Sequence, residues 1–320
     1  RPEEYDEFEI KNHGEFYGIG ANIDVILDEK TGKTVPVIVR AIEGTPAEKA
    51  GIKSDDRILK IDGKSTEDMA SNVVVSLIRG KQGTPVTLTI QSKSDAKPRD
   101  VTITRDRIEL HYVKYELLPD GIGYIQLQEF NEKGDRELDK AFARLQADGA
   151  KGLIFDVRGN PGGLLEVAIS VSSRFVKSGA IVTTKDRSGK VEKYEADKDR
   201  FLNLKIPVVV LVNKYSASAS EILAGAVQDT KTATVVGEKT FGKASVQILV
   251  KLRHGGALAI TTQKYFTPKN RDINEVGVAP DESVKATDDD LKDGSMGKGA
   301  QFQKAVEVIK TKINSKTASK

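Results

Sequence analysis

The apolar positions of the chain follow two regimes. From Phe16 to about Arg105 they come as short alternating runs. Thr34–Arg40, Arg57–Ile61, Pro85–Gln91 and Arg99–Thr104 read as strands, in which successive side chains point to opposite faces. Between them Thr45–Gly51 predicts a small helix with clear ends: Thr45 at the N-cap, Pro46 in the first turn, Glu48 meeting the dipole and Gly51 as the stop. A second helix is predicted over Glu67–Ile78, with Val73, Val74, Leu77 and Ile78 on one face and Gly80 beyond its end. Asp62-Gly63 signals a tight turn.

Further along, near-continuous apolar strands alternate with amphipathic helices. Gly121–Leu127, Gly152–Val157, Ala180–Thr183, Ile206–Val212, Thr232–Val236, Val246–Leu252 and Ala257–Tyr265 read as strands. Asp135–Gln146 (Leu138, Phe142 and Leu145 inward), Leu164–Phe175 and Ala219–Gln228 read as helices. Such alternation predicts a buried, largely parallel sheet. An acidic tail, Asp288–Ser295, precedes one more helix at Phe302–Lys310. The expected fold class is α/β in the mixed α+β sense: a β-rich domain followed by an αβ core.

Composition narrows the chemistry. The 320 residues carry 50 Lys+Arg against 47 Asp+Glu, a net charge of +3 that gives no footprint for nucleic acid. No run approaches the ~20 apolar residues that span a bilayer. The chain has no Cys, which removes thiolate nucleophiles, disulfides, Cys-ligated zinc and iron–sulfur clusters. Its three His, at 13, 111 and 254, are scattered, so a multi-His metal site is not expected. Nucleophilic chemistry would have to come from Ser, Lys, carboxylates and backbone groups. No metal or organic cofactor is expected.

Three segments carry candidate chemistry. Lys214–Glu221 (KYSASASE) follows a buried strand and opens a helix, the place where α/β sheets present ligand sites. Ser218-x-x-Glu221 fits a helix capping box, the commoner use of that spacing; it also fits a nucleophile whose oxyanion would form at a helix N-terminus. None of the three His is placed by sequence as its base. Lys243, in Thr240–Gln247 (TFGKASVQ), is the alternative, although a lysine beside a glycine is ordinarily a solvated charge. On an extended strand Lys243, Ser245 and Gln247 share one face, which would let Gln247 orient the amine while apolar neighbours desolvate it. Asp156–Gly163 (DVRGNPGG) is a Gly-rich strand-to-helix turn without a phosphate-loop pattern; it is either a tight structural turn or a source of oxyanion-binding N–H groups. In the first half, Tyr17, Gly18, Ile19 and Gly20 form a Gly-flanked loop. It is either a plain turn or a site that captures a peptide carboxylate while the peptide adds as a strand.

Taken together these segments resemble the carboxy-terminal processing proteases of peptidase family S41, which pair a PDZ domain with a Ser/Lys core. Phe16–Gly20, Thr45–Gly51 and Arg57–Gly63 look like the PDZ carboxylate loop, its short helix and the strand that follows. Asp156–Gly163, Ser216–Ile222, Thr240–Gln247, Tyr265–Pro268 and Gly277–Asp281 match family elements in family order. The resemblance implies a β-rich PDZ domain plus a crotonase/ClpP-like αβ core. It divides the chain into a remnant of an N-terminal arm (1–15), the PDZ domain (16–105), the core (106–287) and a tail with a helix (288–320). It implies Ser218 as nucleophile, Lys243 as base, Gln247 as the residue orienting that base, and Gly162 or Gly163 with Ala219 as the oxyanion hole. Asp229 would lie near the site in a structural role. The implied activity is a serine endopeptidase acting on unfolded or flexible protein C-termini that are recognised by the PDZ domain, which would also gate activity. The implied location is extracytoplasmic: periplasm, cell surface or lumen.

This chain departs from the family at Ala244-Ser245, where Gly-Thr is usual, and at Asn274-Glu275-Val276, where many members carry a His-containing turn. The arm through which family dimers often form is reduced to 1–15, which leaves the oligomeric state open. Membrane association would need a segment outside this chain. Two other readings stand beside the protease: a non-catalytic PDZ-type peptide-binding adaptor, and an acyl-CoA enzyme of the crotonase type.

Overall fold

The structure, a computed structural model, describes residues 5, 10, 14–28, 31–92, 97–253, 256–291 and 299–318. His13 and His254 lie outside the described residues. The chain divides into two compact units, 6–110 and 1–5 with 111–320.

The first unit is β-rich. Its strands are β1 (Glu15–Gly18), β2 (Ala21–Asp28), β3 (Lys33–Ala41), β4 (Arg57–Ile61), β5 (Lys64–Ser65), β6 (Pro85–Gln91), β7 (Arg99–Thr104) and β8 (Asp106–Glu109). Two helices interrupt them, α1 (Pro46–Lys49) and α2 (Ser71–Ile78). The main sheet runs β2-β3-β4-β6-β7, with β5 on β4, while β1 pairs with β8 as a separate ribbon. That pairing carries the unit past Arg105 to Leu110. In β6 every second side chain, Val86, Leu88 and Ile90, turns inward onto Ile38, Ile58 and Ile103, as a strand with one covered face requires.

Two expectations for this unit change. Thr45 occupies the N-cap position of α1 without capping it; its hydroxyl donates instead to the Gly20 and Ile42 carbonyls at 3.0 and 2.5 Å. Helix α2 starts at Ser71 rather than Glu67, because Asp68 takes a left-handed φ of 57° and accepts the Thr34 N–H of β3 at 3.0 Å. Val74 and Ile78 are buried, whereas Val73 of the expected inward face is exposed.

The second unit holds two sheets. The larger runs β18-β15-β14-β11-β10-β9, from β9 (Val113–Leu118), β10 (Ile122–Leu127), β11 (Gly152–Asp156), β14 (Val208–Val212), β15 (Thr234–Gly237) and β18 (Glu282–Ser283). All its pairings are parallel except that of β9. One face, with Ile125, Phe155, Val210 and Val235, packs beneath α3 (Glu132–Ala147), α4 (Leu165–Ser173) and α5 (Ala219–Thr230). The other, with Tyr124, Ile154, Val209 and Leu211, is covered by Phe302, Ala305 and Ile309. These come from the C-terminal helix, α7 (Ala300–Ala318). Burial on both faces explains the unbroken VVVLV of β14, where each side chain contributes about 1.5–3 kcal/mol.

The smaller sheet departs from the expected run of parallel strands. It is antiparallel, ordered β13-β12-β17-β16, from β12 (Ala180–Asp186), β13 (Val191–Glu195), β16 (Ser245–Lys251) and β17 (Ala257–Phe266). Much of the β16–β17 hairpin faces solvent on both sides, and a buried parallel strand could not do so. The acidic tail begins with α6 (Asp288–Leu291), whose Asp290 is buried. No helix among the described residues is long and apolar enough to cross a membrane.

Candidate active site

Ser218 stands between β14 and α5 with φ 54° and ψ −112°, a conformation outside the regions open to an ordinary L-residue. Holding it costs on the order of 1–3 kcal/mol, so the surroundings must over-determine it. They do so on both flanks. Ser216 Oγ donates to the Val157 carbonyl at 2.8 Å and accepts the Asn213 N–H at 3.0 Å. The Ala217 N–H and the Ser220 hydroxyl both donate to the Asn160 carbonyl, at 3.1 and 3.0 Å. The KYSASASE turn is thereby fastened to the DVRGNPGG turn, and both lie at the carboxyl edge of the parallel sheet.

Gly162 closes against the nucleophile candidate. A Cβ on it would fall 2.8 Å from Ser218 Cβ and 3.0 Å from the Ala219 nitrogen, at φ +109°. One at Gly163 would lie 2.1 Å from the Phe130 carbonyl oxygen. Only glycine fits at either place. The candidate oxyanion donors are not equivalent. The Gly162 N–H donates to Asn160 Oδ1 at 2.9 Å and is occupied. No acceptor for the Gly163 or Ala219 N–H is found among the described residues.

Behind the turn lies a buried charge network. The Asp156 carboxylate accepts Arg158 Nε and an Arg158 terminal amine, at 3.0 and 2.7 Å, and the Tyr124 hydroxyl at 2.7 Å. Arg158 also reaches Asp290 at 2.8 Å. Burial drives the Tyr124 phenol far above its ordinary value, with the Asp156 charge adding to it. The network ties α6 to the turn that carries Asn160 and the two glycines.

Glu221 explains how Ser218 and Lys243 come together. It is fully buried in the first turn of α5, and no cation pairs with it among the described residues. Its Oε2 accepts the backbone N–H groups of both Ser218 and Lys243, each at 2.9 Å. Its Oε1 accepts the Thr240 hydroxyl at 2.6 Å and the Gly242 N–H at 2.7 Å. The S-x-x-E spacing is therefore more than a cap: one carboxylate fastens the Ser218 turn to the Lys243 turn. Tyr265 does the same from the carbonyl side, with its hydroxyl 3.0 Å from the Ser218 oxygen and 2.5 Å from that of Lys243.

The side chains are arranged otherwise than the strand periodicity predicts. Lys243 is exposed, and its amine has no hydrogen bond or ion pair among the described residues. Gln247 does not orient it; the Gln247 amide donates to Thr261 Oγ1 at 3.3 Å. The physical reason is that Lys243 lies ahead of β16, which begins at Ser245, so the alternation that would align 243, 245 and 247 does not reach back to it. Ala244, which stands where the family usually has Gly, does not crowd the Lys243 side chain. It is fully buried and packs into the core, and its carbonyl accepts the Tyr265 N–H at 3.1 Å. The Asn274–Val276 turn backs the lysine turn: the Glu275 N–H donates to the Gly242 carbonyl at 2.8 Å.

The remaining candidates fall elsewhere. His111 is exposed and pairs with Glu137 through Nδ1 at 2.7 Å. Asp229 binds Arg271 at 2.6 Å and the Lys269 N–H at 2.9 Å, pinning the loop after β17. No metal-binding cluster of His and carboxylates occurs among the described residues. In the first unit Gly18, Ile19 and Gly20 line a cavity of about 300 Å³ with Phe16, Val75 and Ile78. Tyr17 is exposed and does not line it. No acceptor for the Ile19 or Gly20 N–H is found among the described residues, and β2 beside them is the open edge of its sheet.

Comparison with known proteins fits this architecture. The profile of peptidase family S41 matches residues 121–284, about half of the chain, and that of a PDZ domain matches 37–92. The chain belongs to peptidase family S41. A carboxyl-terminal-processing protease of Synechocystis sp. is 37% identical over 313 residues, covering 97% of this chain and 72% of that protein. One from Picosynechococcus sp. is 40% identical over 288 residues, covering 89% and 68%. Among solved structures, the photosystem II D1 C-terminal processing protease aligns with 31% identity and a TM-score of 0.52, over 89% of this chain and 76% of that one. This S41 chain is thus a serine-type peptidase with a PDZ domain in its first unit and the protease core in its second. The S41 match ends at 284, before α6 and α7, although α7 closes one face of the core sheet.

Two residues that sequence reasoning passed over stand out. Asn160 and Tyr265 both lie inside recognised motifs, but nothing in local spacing signals that one braces the glycine turn and the other joins two carbonyls. Glu221 was visible only as a capping partner.

Proposed function

We propose that this peptidase cleaves flexible polypeptides near their carboxyl termini with Ser218 as nucleophile and Lys243 as base. The observation that carries the reading is the joint anchoring of the two backbones on Glu221 and Tyr265, with Gly162 pressed against Ser218. Neutral Lys243 takes the Ser218 Oγ proton as Oγ attacks the scissile carbonyl. The Gly163 and Ala219 N–H groups receive the oxyanion, at a helix N-terminus whose dipole favours it. Collapse expels the amine of the C-terminal fragment, which takes the proton from Lys243. Water, deprotonated in turn by Lys243, then releases the acyl group from Ser218.

With its amine open to solvent, Lys243 is unsuited to this role until something dehydrates it. Substrate does so by covering the amine, and Gln247 joins once it leaves Thr261. The PDZ domain supplies substrate by taking a C-terminal carboxylate on the Ile19 and Gly20 N–H groups, with an apolar last side chain in the cavity beside Val75 and Ile78. Occupancy of that domain gates cleavage. The enzyme works outside the cytoplasm, an assignment resting on family resemblance and tested by fractionation of the source cells.

The decisive experiment follows cleavage of a disordered protein ending in apolar residues, from about pH 6 to about pH 10. The parent should cleave, and Ser218→Ala and Lys243→Ala should not. A parent as inert as Ser218→Ala across that range would leave the peptide-binding adaptor as the better account. Full activity in folded Lys243→Ala would remove the proposed base.

A further inference from the structure

We infer that Tyr265 is a positioning residue for the base, holding the Lys243 backbone beside the nucleophile through its hydroxyl; this rests on the Ser218/Lys243 reading above. The case begins with how little the Lys243 side chain and the hairpin beyond it contribute to holding the lysine in place. After Val246, residues 247–251 of β16 are all exposed, and the ladder to β17 shifts register at that point. The Lys243 side chain makes no polar contact among the described residues. What fixes the lysine is its peptide groups: its N–H on Glu221 Oε2 at 2.9 Å and its carbonyl on the Tyr265 hydroxyl at 2.5 Å.

The hydroxyl has one proton and two carbonyl neighbours, and the geometry indicates which it serves. The Ser218 oxygen, 3.0 Å away, already accepts the Glu221 and Ile222 N–H groups at 2.8 and 3.0 Å. The Lys243 oxygen is closer, and no second donor to it is found among the described residues. The proton therefore goes mainly to Lys243. Tyr265 is a firm anchor for it: the residue is 2% exposed and sits where β17 pairs with β12, opposite Thr184. Burial, then the nearby Glu221 charge, hold the phenol well above its ordinary value, so it remains a donor through the working range.

Losing the hydroxyl leaves the Lys243 carbonyl without a donor among the described residues. Its N–H stays on Glu221 and Ala244 stays in the core, but the peptide between them is free to turn and carry the lysine away from Ser218. A displacement of about 1 Å costs on the order of 10²-fold in rate. A tether of this kind acts on the chemical step and not on substrate affinity, because the hydroxyl faces backbone and not substrate.

The test is Tyr265→Phe, assayed on β-casein with kcat counted per folded molecule, the folded fraction taken from circular dichroism. Ser218→Ala and Ser173→Ala are run beside it. Ser173 supplies a comparison because it loses a buried hydroxyl of the same unit, one that donates to the Ile169 carbonyl at 2.7 Å. The expected result is a fall in kcat of about 10²-fold with KM within about twofold of the parent, and no such fall in Ser173→Ala. A folded Tyr265→Phe protein with kcat within about twofold of the parent, while Ser218→Ala is inert, overturns the inference and leaves the dyad standing. A raised KM at unchanged kcat, or an equal loss in Ser173→Ala, overturns it as well. Activity in Ser218→Ala overturns the dyad reading itself.

Discussion

Ser218 follows β14, whose residues 208–212 are all buried, whereas Lys243 leads into β16, whose residues 247–251 are all exposed. The nucleophile candidate sits on the end of a strand covered on both faces by helices, in a strained conformation that a dense set of hydrogen bonds enforces. The lysine sits at the entry to a hairpin that little else packs against. The difference shows where preorganisation has been placed. One partner is built into the core, and the other is attached to it through the backbone of residues 241–244, so the alignment of the pair depends on those backbone contacts more than on its own side chains.

The strongest way to break this contrast is to remove the carboxylate that spans it. Glu221→Ala strands donors on both sides: Ser218, Thr240, Gly242 and Lys243. Each unsatisfied buried donor costs about 1–3 kcal/mol, so a loss of about 3 kcal/mol or more is expected in urea unfolding, with turnover lost as well. A loss below about 1 kcal/mol with kcat intact would refute the clamp.

Gly162→Ala attacks the rigid side alone. Its methyl meets Ser218 Cβ at 2.8 Å in a backbone conformation that disfavours any side chain. The expected cost is about 1–3 kcal/mol, with a disproportionate fall in kcat because the strain lands on the proposed nucleophile. Unchanged kcat in a folded variant would show that the glycine turn is only structural.

Acid should act on the brace behind that same side. Burial raises the Asp290 carboxyl, but hydrogen bonds from the Thr287 N–H and hydroxyl and the Arg158 charge outweigh it and leave its pKa lowered. A depressed carboxyl contributes stability that is complete above its unfolded pKa, about 4, and is lost as pH falls through the folded value. The packing of α7 on the sheet should therefore hold at neutral pH and loosen only under stronger acid. Near-ultraviolet dichroism of Tyr124, whose ring centroid lies 5.7 Å from that of Phe302, reports it. Asp290→Asn should loosen that packing already at neutral pH; an unchanged acid transition in that variant would remove Asp290 from the account.

The smallest effect on stability is expected on the exposed side. Gln247→Ala should change unfolding by less than about 0.5 kcal/mol, since only a 3.3 Å bond to Thr261 is lost. Its kcat should nevertheless fall about tenfold if Gln247 joins Lys243 during turnover. An unchanged kcat would confine Gln247 to the ladder.

Much of this was legible before any coordinates. The unbroken apolar run at 206–212, the small-residue turn after it and the alternation in 85–91 each imply one structural solution, because burial on two faces and burial on one face demand different residue patterns. The order of motifs led to the S41 core and the PDZ domain. What misled was local extrapolation. Strand periodicity placed Gln247 beside Lys243, but the strand begins only at Ser245, and where a ladder begins depends on the partner strand it pairs with. The strand at 257–265 looked like another member of the parallel sheet, since an apolar run does not say which neighbour it pairs with. The Gly162 N–H was an equal candidate until Asn160 proved to hold it.

The sequence by itself determined which chemistries were available: with no Cys and three scattered His, Ser, Lys, carboxylates and backbone groups remained, and the family resemblance singled out Ser218 and Lys243 among them. It also determined the layered core, through which residues can be buried. Only the tertiary structure decided how that pair is held. Glu221, Tyr265 and Asn160 act across separations of 22, 22 and 60 residues, on the Lys243 N–H, the Lys243 carbonyl and the Ser220 hydroxyl. Hydrogen bonds of that span depend on where the chain returns, which no local pattern of side chains records.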